Sequence, residues 1–306
     1  MNKKRILFLS LIGTHSDYIA DALFYGLKEV GHEVIDLPKR ECLYKDSLSS
    51  NYYKERNLWH GMFYDKDFNI NKRTKNVNVA SFDYIICDNA KIVNDNPVLL
   101  SVKNKLIVLQ TNDPFTRAPL PNIRVDFPMA IKEKCLQDDI VNRKDIIDFP
   151  INHTVPEKYV EFVPREKREL EVFFSMSIYG DLRKQFADEF TNLKCDNPEQ
   201  YFYQLRKHKY GISIIGEGYN CQRDAEIAGN CVLCKYKHPT WTYDETSFRD
   251  GINCIEFSSL QELKDKIKYY NEHTDEYDKI LKAGFKHVMK YLTSEIQAER
   301  LLEWKK

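Results

Sequence analysis

Between Ser213 and Tyr236 the chain reads SIIGEGYNCQRDAEIAGNCVLCKY, an apolar run, a polar middle and a second apolar run. The middle carries Gly216, Glu217, Gly218, Arg223 and Glu226 and ends at Gly229. Arg223 is a planar, permanently charged donor suited to phosphate oxygens. Glu226 follows three residues later, so on a helix both side chains leave the same face. A carboxylate accepts several hydrogen bonds and matches the paired hydroxyls of a ribose. A helix opening near Cys221 would also turn free N–H groups and a partial positive charge toward an anion. The competing reading is an exposed i,i+3 pair between Arg223 and Glu226, worth about 0.2–0.5 kcal/mol.

The elements that must hold these residues are legible on both sides. YGISIIG reads as a strand, residues 221–228 as a helix and CVLCKY as the next strand. In a doubly wound parallel sheet, ligands bind beyond the carboxyl ends of the strands, which is where residues 216–222 fall. Upstream, LEVFFSMS is a strand. A helix is expected over residues 181–192, capped by Asp181, and another over 198–207 with Pro198 in its first turn. Downstream, GINCIEF is a short strand. Ser259 and Glu262 read as a capping box for a helix with Leu260, Leu263, Ile267 and Tyr270 in one stripe. Two helices, over 275–291 and 293–304, close the chain.

The N-terminal half opens as a separate β-α-β unit. RILFLSLIG is a continuous apolar run, as in a strand buried on both faces. Gly13 permits a turn, Ser16 or Asp17 caps a helix with Ala20, Leu23, Leu27 and Val30 on one face, and Gly31 stops it. HEVIDL, FDYIICD and KLIVLQ follow as strands. Residues 38–80 and 111–150 read as irregular, the latter carrying Pro114, Pro119, Pro121, Pro128 and Pro150. The fold class expected is α/β, with two Rossmann-like doubly wound domains facing across a cleft, residues 1–160 and 161–306. The linker lies in the proline- and charge-rich stretch 156–168.

The totals limit the function classes. In 306 residues, 42% are hydrophobic, enough for real cores. Lys plus Arg and Asp plus Glu are 46 each, so no global field attracts nucleic acid or an anionic membrane. No apolar run approaches the roughly 18 residues of a membrane span. Lys3, Lys4 and Arg5 before ILFLSLIG imitate a signal peptide, but THSD follows where a cleavage site would stand. A soluble, cytoplasmic monomer or homodimer is expected. The eight cysteines do not form a disulfide scaffold. A zinc set of Cys221, Cys231, Cys234 and His238 lacks a second tight pair, and no metal site is expected. Asp65 and Asp67 form an Asp-x-Asp in an irregular stretch and read as solvated.

GEGYNCQRDAEIAGNCVL, followed by FRDGINCIEFSSLQELKDKIKYYNEH, resembles the donor-binding half of GT-B glycosyltransferases of the group 1 and spore-maturation-like families. The likeness covers residues 211–291 well and the rest in outline. It implies that Glu226 holds the ribose of a nucleotide-diphosphate sugar, and that Glu217 with the Gly216–Gly218 turn approaches the sugar or diphosphate. It further implies that Arg183 and Lys184 reach the diphosphate; otherwise they are solvated helix-start charges. Two departures touch Glu217: eight residues separate it from Glu226 where seven are usual, and Gly229-Asn230 replaces the usual Gly-Pro.

His15 sits in a turn that resembles the acceptor-facing turn of these enzymes. It could deprotonate an acceptor hydroxyl, with Asp17 as its partner, or simply contact backbone or solvent. A base at His15 suggests inversion at the sugar; a Glu pair in the second domain suggests retention. The reading is therefore a metal-independent glycosyltransferase with a nucleotide sugar as donor substrate and no further cofactor. Its alternatives are a nucleotide-sugar epimerase or hydrolase of the same fold, or a non-catalytic binding module. The acceptor is a glycan, a small molecule or, less readily, DNA stacked on the aromatic stretch 51–64.

Overall fold

A computed structural model describes residues 2–10, 17–38, 40, 43–44, 77–111, 129–132, 148–215, 220–237 and 245–305. They fall into two compact units, Met1–Ile151 with Gln297–Lys306, and Asn152–Ile296.

The first unit runs β1 (Arg5–Leu9), α1 (Tyr18–Glu29), β2 (Glu33–Leu37), β3 (Tyr84–Cys87), α2 (Ala90–Asp95), β4 (Leu106–Gln110), β5 (Met129–Lys132) and β6 (Asp148–Ile151). The strands form one sheet in the order β2-β1-β3-β4-β5-β6, with each pair parallel. Alternate residues feed opposite faces. Ile6, Phe8, Ile107 and Leu109 pack with α1 residues Ile19, Leu23 and Phe24. Leu7, Ile85, Cys87, Leu106 and Val108 pack with Ala90, Ile92 and Val93 of α2. Both faces are covered, which is why these strands read as unbroken apolar runs. Asp17 caps α1 by accepting from the Ile19 and Ala20 N–H groups, each at 3.0 Å. Gly31, at φ +91, takes the left-handed position past the helix end.

The second unit runs β7 (Leu170–Phe173), α3 (Gly180–Glu189), α4 (Pro198–Lys207), β8 (His208–Ser213), α5 (Gln222–Ala228), β9 (Val232–Tyr236), β10 (Ile255–Phe257), α6 (Leu260–Glu272) and α7 (Thr274–His287). Its sheet is also parallel, in the order β10-β9-β8-β7. One core joins Tyr210, Ile212, Val232, Cys234, Ile255 and Phe257 of the sheet to Leu263, Ile267, Tyr277, Ile280 and Leu281 of α6 and α7. On the other face α5 lies very close to β8. A Cβ at Gly211 would sit 2.6 Å from Cγ2 of Ile227, so only glycine fits there.

Several expectations shift by a few residues, each for a local reason. α3 starts at Gly180 with Tyr179 as its N-cap residue, not at Asp181. Ser259 caps α6, accepting from the Glu262 N–H, but the Glu262 carboxylate returns to the Ser258 N–H at 2.8 Å. The stretch 111–150 contains β5 and β6. β6 is an edge strand, where Pro150 costs no ladder bond. The units divide at 151/152, and α8 (Ser294–Trp304) completes the first core with Ala298, Leu301 and Leu302. Trp304 stands against Phe149 at 5.4 Å between ring centroids.

Candidate donor site

The carboxyl end of β8 gathers the charged side chains of the second unit. Past Ser213 the chain continues through Ile214 and Ile215, and two arginines from different helices meet it there. Arg183 of α3 is buried, only 4% exposed. It donates from Nη1 to the Ser177 carbonyl at 2.9 Å, and from Nη2 to the carbonyls of Ile214 at 3.3 Å and Ile215 at 3.1 Å. Its guanidinium lies 4.0 Å from the ring centroid of Tyr179. Arg223 of α5 donates from Nη2 to the same Ile214 carbonyl at 3.3 Å. Two cations thus share one backbone oxygen, and Nε of each has no partner among the described residues. Burial, and then the nearby Arg223 charge, lowers the Arg183 pKa. Against burial, Cys221, Tyr201, Glu226 and Asp224 together raise the Arg223 pKa, so the strain rests on Arg183, and an anion would relieve it.

Glu226 lies one turn along α5 and is wholly buried, so the exposed-pair reading of Arg223 and Glu226 does not hold. Oε2 accepts from the Tyr201 hydroxyl at 2.9 Å, and Oε1 has no partner among the described residues. Burial raises the Glu226 pKa from 4.5 to about 7, against the opposing effects of the Tyr201 hydrogen bond, the Arg223 charge and the Gln222 amide. A buried carboxyl with one idle oxygen is costly unless something fills it.

A third cluster fixes the start of α5. Asp224 accepts from the Ser213 hydroxyl at 2.5 Å, from the Cys221 N–H at 3.1 Å, and from Lys235 of β9. Lys235 also donates to Asn220 Oδ1 at 3.1 Å. Asn220 reaches Asn152 at 3.2 Å, and Asn152 donates to Thr246 at 2.6 Å. A small pocket opens here, lined in part by Asn152, His153, Asn220, Cys221 and Thr246. Tyr201, Asp224 and Lys235 were not foreseen as site residues. Two of them left a sequence signal: Cys-x-x-Asp at 221–224 has capping-box spacing, and Lys235 interrupts an apolar strand at its carboxyl end.

Of the other residues singled out, Lys184 is exposed. Asp17 is committed locally: one oxygen caps α1 and the other accepts from the Thr111 hydroxyl. Cys231 and Cys234 are buried, with thiol pKa values pushed up by desolvation. His15, Gly216, Glu217, Gly218, His238, Asp65, Asp67 and the stretch 51–64 lie outside the described residues. Among the described residues, no helix is long and apolar enough to cross a membrane.

Residues 178–303 match a family model described as glycosyl transferase-like. That span takes in α3, α4 and α5 and every charged side chain of the three clusters, while Asn152 and His153 lie outside it. Solved structures share the whole fold. A glycosyltransferase from Rickettsia africae ESF-5 superimposes with a TM-score of 0.62 at 12% identity, covering 100% of this chain and 98% of its own. Anabaena Alr3699/HepE in complex with UDP and glucose gives 0.55 at 9% identity, covering 98% of each chain. The same protein with UDP-glucose gives 0.54 at 10%, covering 98% of this chain and 99% of that one. No curated protein matches the sequence. At such identities the structural likeness carries the fold alone: the chain has the GT-B fold of two Rossmann-like units, and its residues 178–303 are glycosyl transferase-like.

Proposed function

We propose that the chain transfers a hexosyl group from a nucleotide-diphosphate sugar to an acceptor hydroxyl without a metal ion, and that the second unit holds the donor. The observation behind this reading is the convergence of Arg183 and Arg223 on the Ile214 carbonyl, with the idle Oε1 of Glu226 one turn away. In glycosyl transfer, negative charge grows on the departing diphosphate while the sugar gains positive charge. Two fixed guanidiniums can offset the first charge, the task a metal ion performs elsewhere. Lys184 adds a third, exposed cation on the same helix as Arg183. The Oε1 atom of Glu226 accepts a ribose hydroxyl, filling its vacant valence. Glu217 and the Gly216–Gly218 turn approach the sugar, and His15 serves the acceptor hydroxyl as base.

The test is a thermal-shift panel of UDP, GDP, dTDP, CMP and ADP with their sugar conjugates, on the wild type and Glu226→Ala. HepE was crystallised with UDP-glucose, so uridine conjugates head the panel. The expected outcome is a rise in Tm with one nucleotide family that vanishes in the variant. An equal rise in both proteins would remove Glu226 from the site.

A further inference from the structure

Among the described residues, the Tyr201 hydroxyl is the side-chain donor within hydrogen-bond geometry of the Glu226 carboxyl, and Gln222 of α5 adds a weaker electrostatic pull toward the ion. The tyrosine comes from α4, not from the donor loop or α5. Its ring is 3% exposed and held edge-on by two neighbours. Phe173 of β7 stands at 5.3 Å and 85°, and Phe202 at 5.2 Å and 87°. The hydroxyl therefore has a fixed place, 2.9 Å from Oε2. That bond favours the ionised carboxyl and turns the other oxygen, Oε1, away from Tyr201.

We propose that Tyr201 is a positioning residue for donor binding, whose hydroxyl occupies Oε2 of Glu226 and so aims Oε1 at the ribose hydroxyl pair of the incoming nucleotide sugar. This rests on the donor reading of Glu226 given above and adds a residue and a proton to it. A diol donating to the carboxyl requires the ionised form, since a protonated acid gives up part of its acceptor capacity. Below neutral pH, donor binding must then release the Glu226 proton. Burial favours the protonated acid, whereas the Tyr201 hydroxyl and the Arg223 charge favour the ion. Asp224 on the same helix opposes ionisation. Towards Tyr201, the facing groups are Glu226, Arg223 and Cys231. Removing the tyrosine hydroxyl leaves burial less opposed, so ionisation moves to higher pH.

The experiment is calorimetric titration of wild type, Tyr201→Phe and Glu226→Gln with UDP-glucose between pH 5.5 and 8.5. The diphosphate diester of this probe does not titrate in that range. For the wild type, affinity should rise through pH 7 and level off, with proton release seen as a buffer-dependent heat. For Tyr201→Phe the rise should shift to higher pH, giving about a tenfold weaker Kd at pH 6.5 and a smaller deficit at pH 8.5. For Glu226→Gln the pH dependence should disappear. A Tyr201→Phe deficit that is equal at every pH would reduce Tyr201 to a packing residue and overturn the proposal while leaving the donor site in place. No pH dependence in the wild type would overturn it too. If UDP-glucose, GDP-mannose and ADP-glucose all fail to bind the wild type, the donor reading falls, and this proposal with it.

Discussion

Each sheet carries a buried arginine at its carboxyl edge, and the two are finished differently. In the first unit, Arg40 uses every nitrogen. Nε donates to Asp21 at 2.6 Å and Nη2 pairs with Asp21 at 2.5 Å. Nη1 reaches Ser10 at 2.5 Å and Asp88 at 2.8 Å, and the backbone N–H reaches Asp36 at 2.7 Å. This cluster joins the ends of β1, β2 and β3 to α1 around carboxylates that neutralise the charge. In the second unit, Arg183 and Arg223 face carbonyls and an aromatic ring, the Glu226 and Asp224 carboxylates act on Arg223 alone, and among the described residues both Nε atoms and one Glu226 oxygen have no partner. Equivalent places in two similar topologies thus hold a closed charge cluster and an open one. A closed cluster holds a fold together; an open one has valences left for a ligand.

The largest expected effect breaks the closed cluster. Arg40→Met strands buried Asp21 without its partner and should cost about 3–5 kcal/mol. Hydrogen exchange would show it as lost protection in β1–β3 with β7–β9 unchanged; equal loss in both units would erase the contrast. Next comes the open cluster's own cost. The Glu226 pKa is raised in the fold, so its contribution is most favourable below pH 4.5, declines as pH rises to about 7, and is flat above. Glu226→Gln lacks that decline. Relative to wild type it should gain roughly 3 kcal/mol between pH 4 and pH 8, read from urea midpoints at each pH. A constant difference would mean that the carboxyl is not strained. The smallest effect sharpens the boundary of the site. Exposed Lys184→Ala should change stability by less than about 0.5 kcal/mol, and a larger loss in a thermal scan would place it among the buried charges.

How far the sequence revealed these clusters follows from their physics. RILFL, YIIC, LIVLQ and VLCKY stood out because burial on both faces favours apolar runs, and EVIDL, LEVF, HKYGIS and IEF were read beside them as mixed or shorter runs. β5 and β6 did not, since each has four residues and β6 carries a proline. Arg223 and Glu226 were found because a single turn of helix joins them. Arg40 meets Asp21 and Asp88 across 19 and 48 residues, and Tyr201 meets Glu226 across 25. No local pattern encodes such pairings. They exist only once the sheet has set which strand lies beside which.

The C-terminal helix has a consequence for the order of synthesis. Ala298, Leu301 and Leu302 fill the core of the first unit, yet the ribosome makes them after the whole second unit. The nascent N-terminal sheet must therefore wait with part of one apolar face uncovered while the second unit is translated. A chain interrupted before Ser294 would leave that sheet exposed to chaperones and proteases, although none of the missing residues lies in the N-terminal sequence.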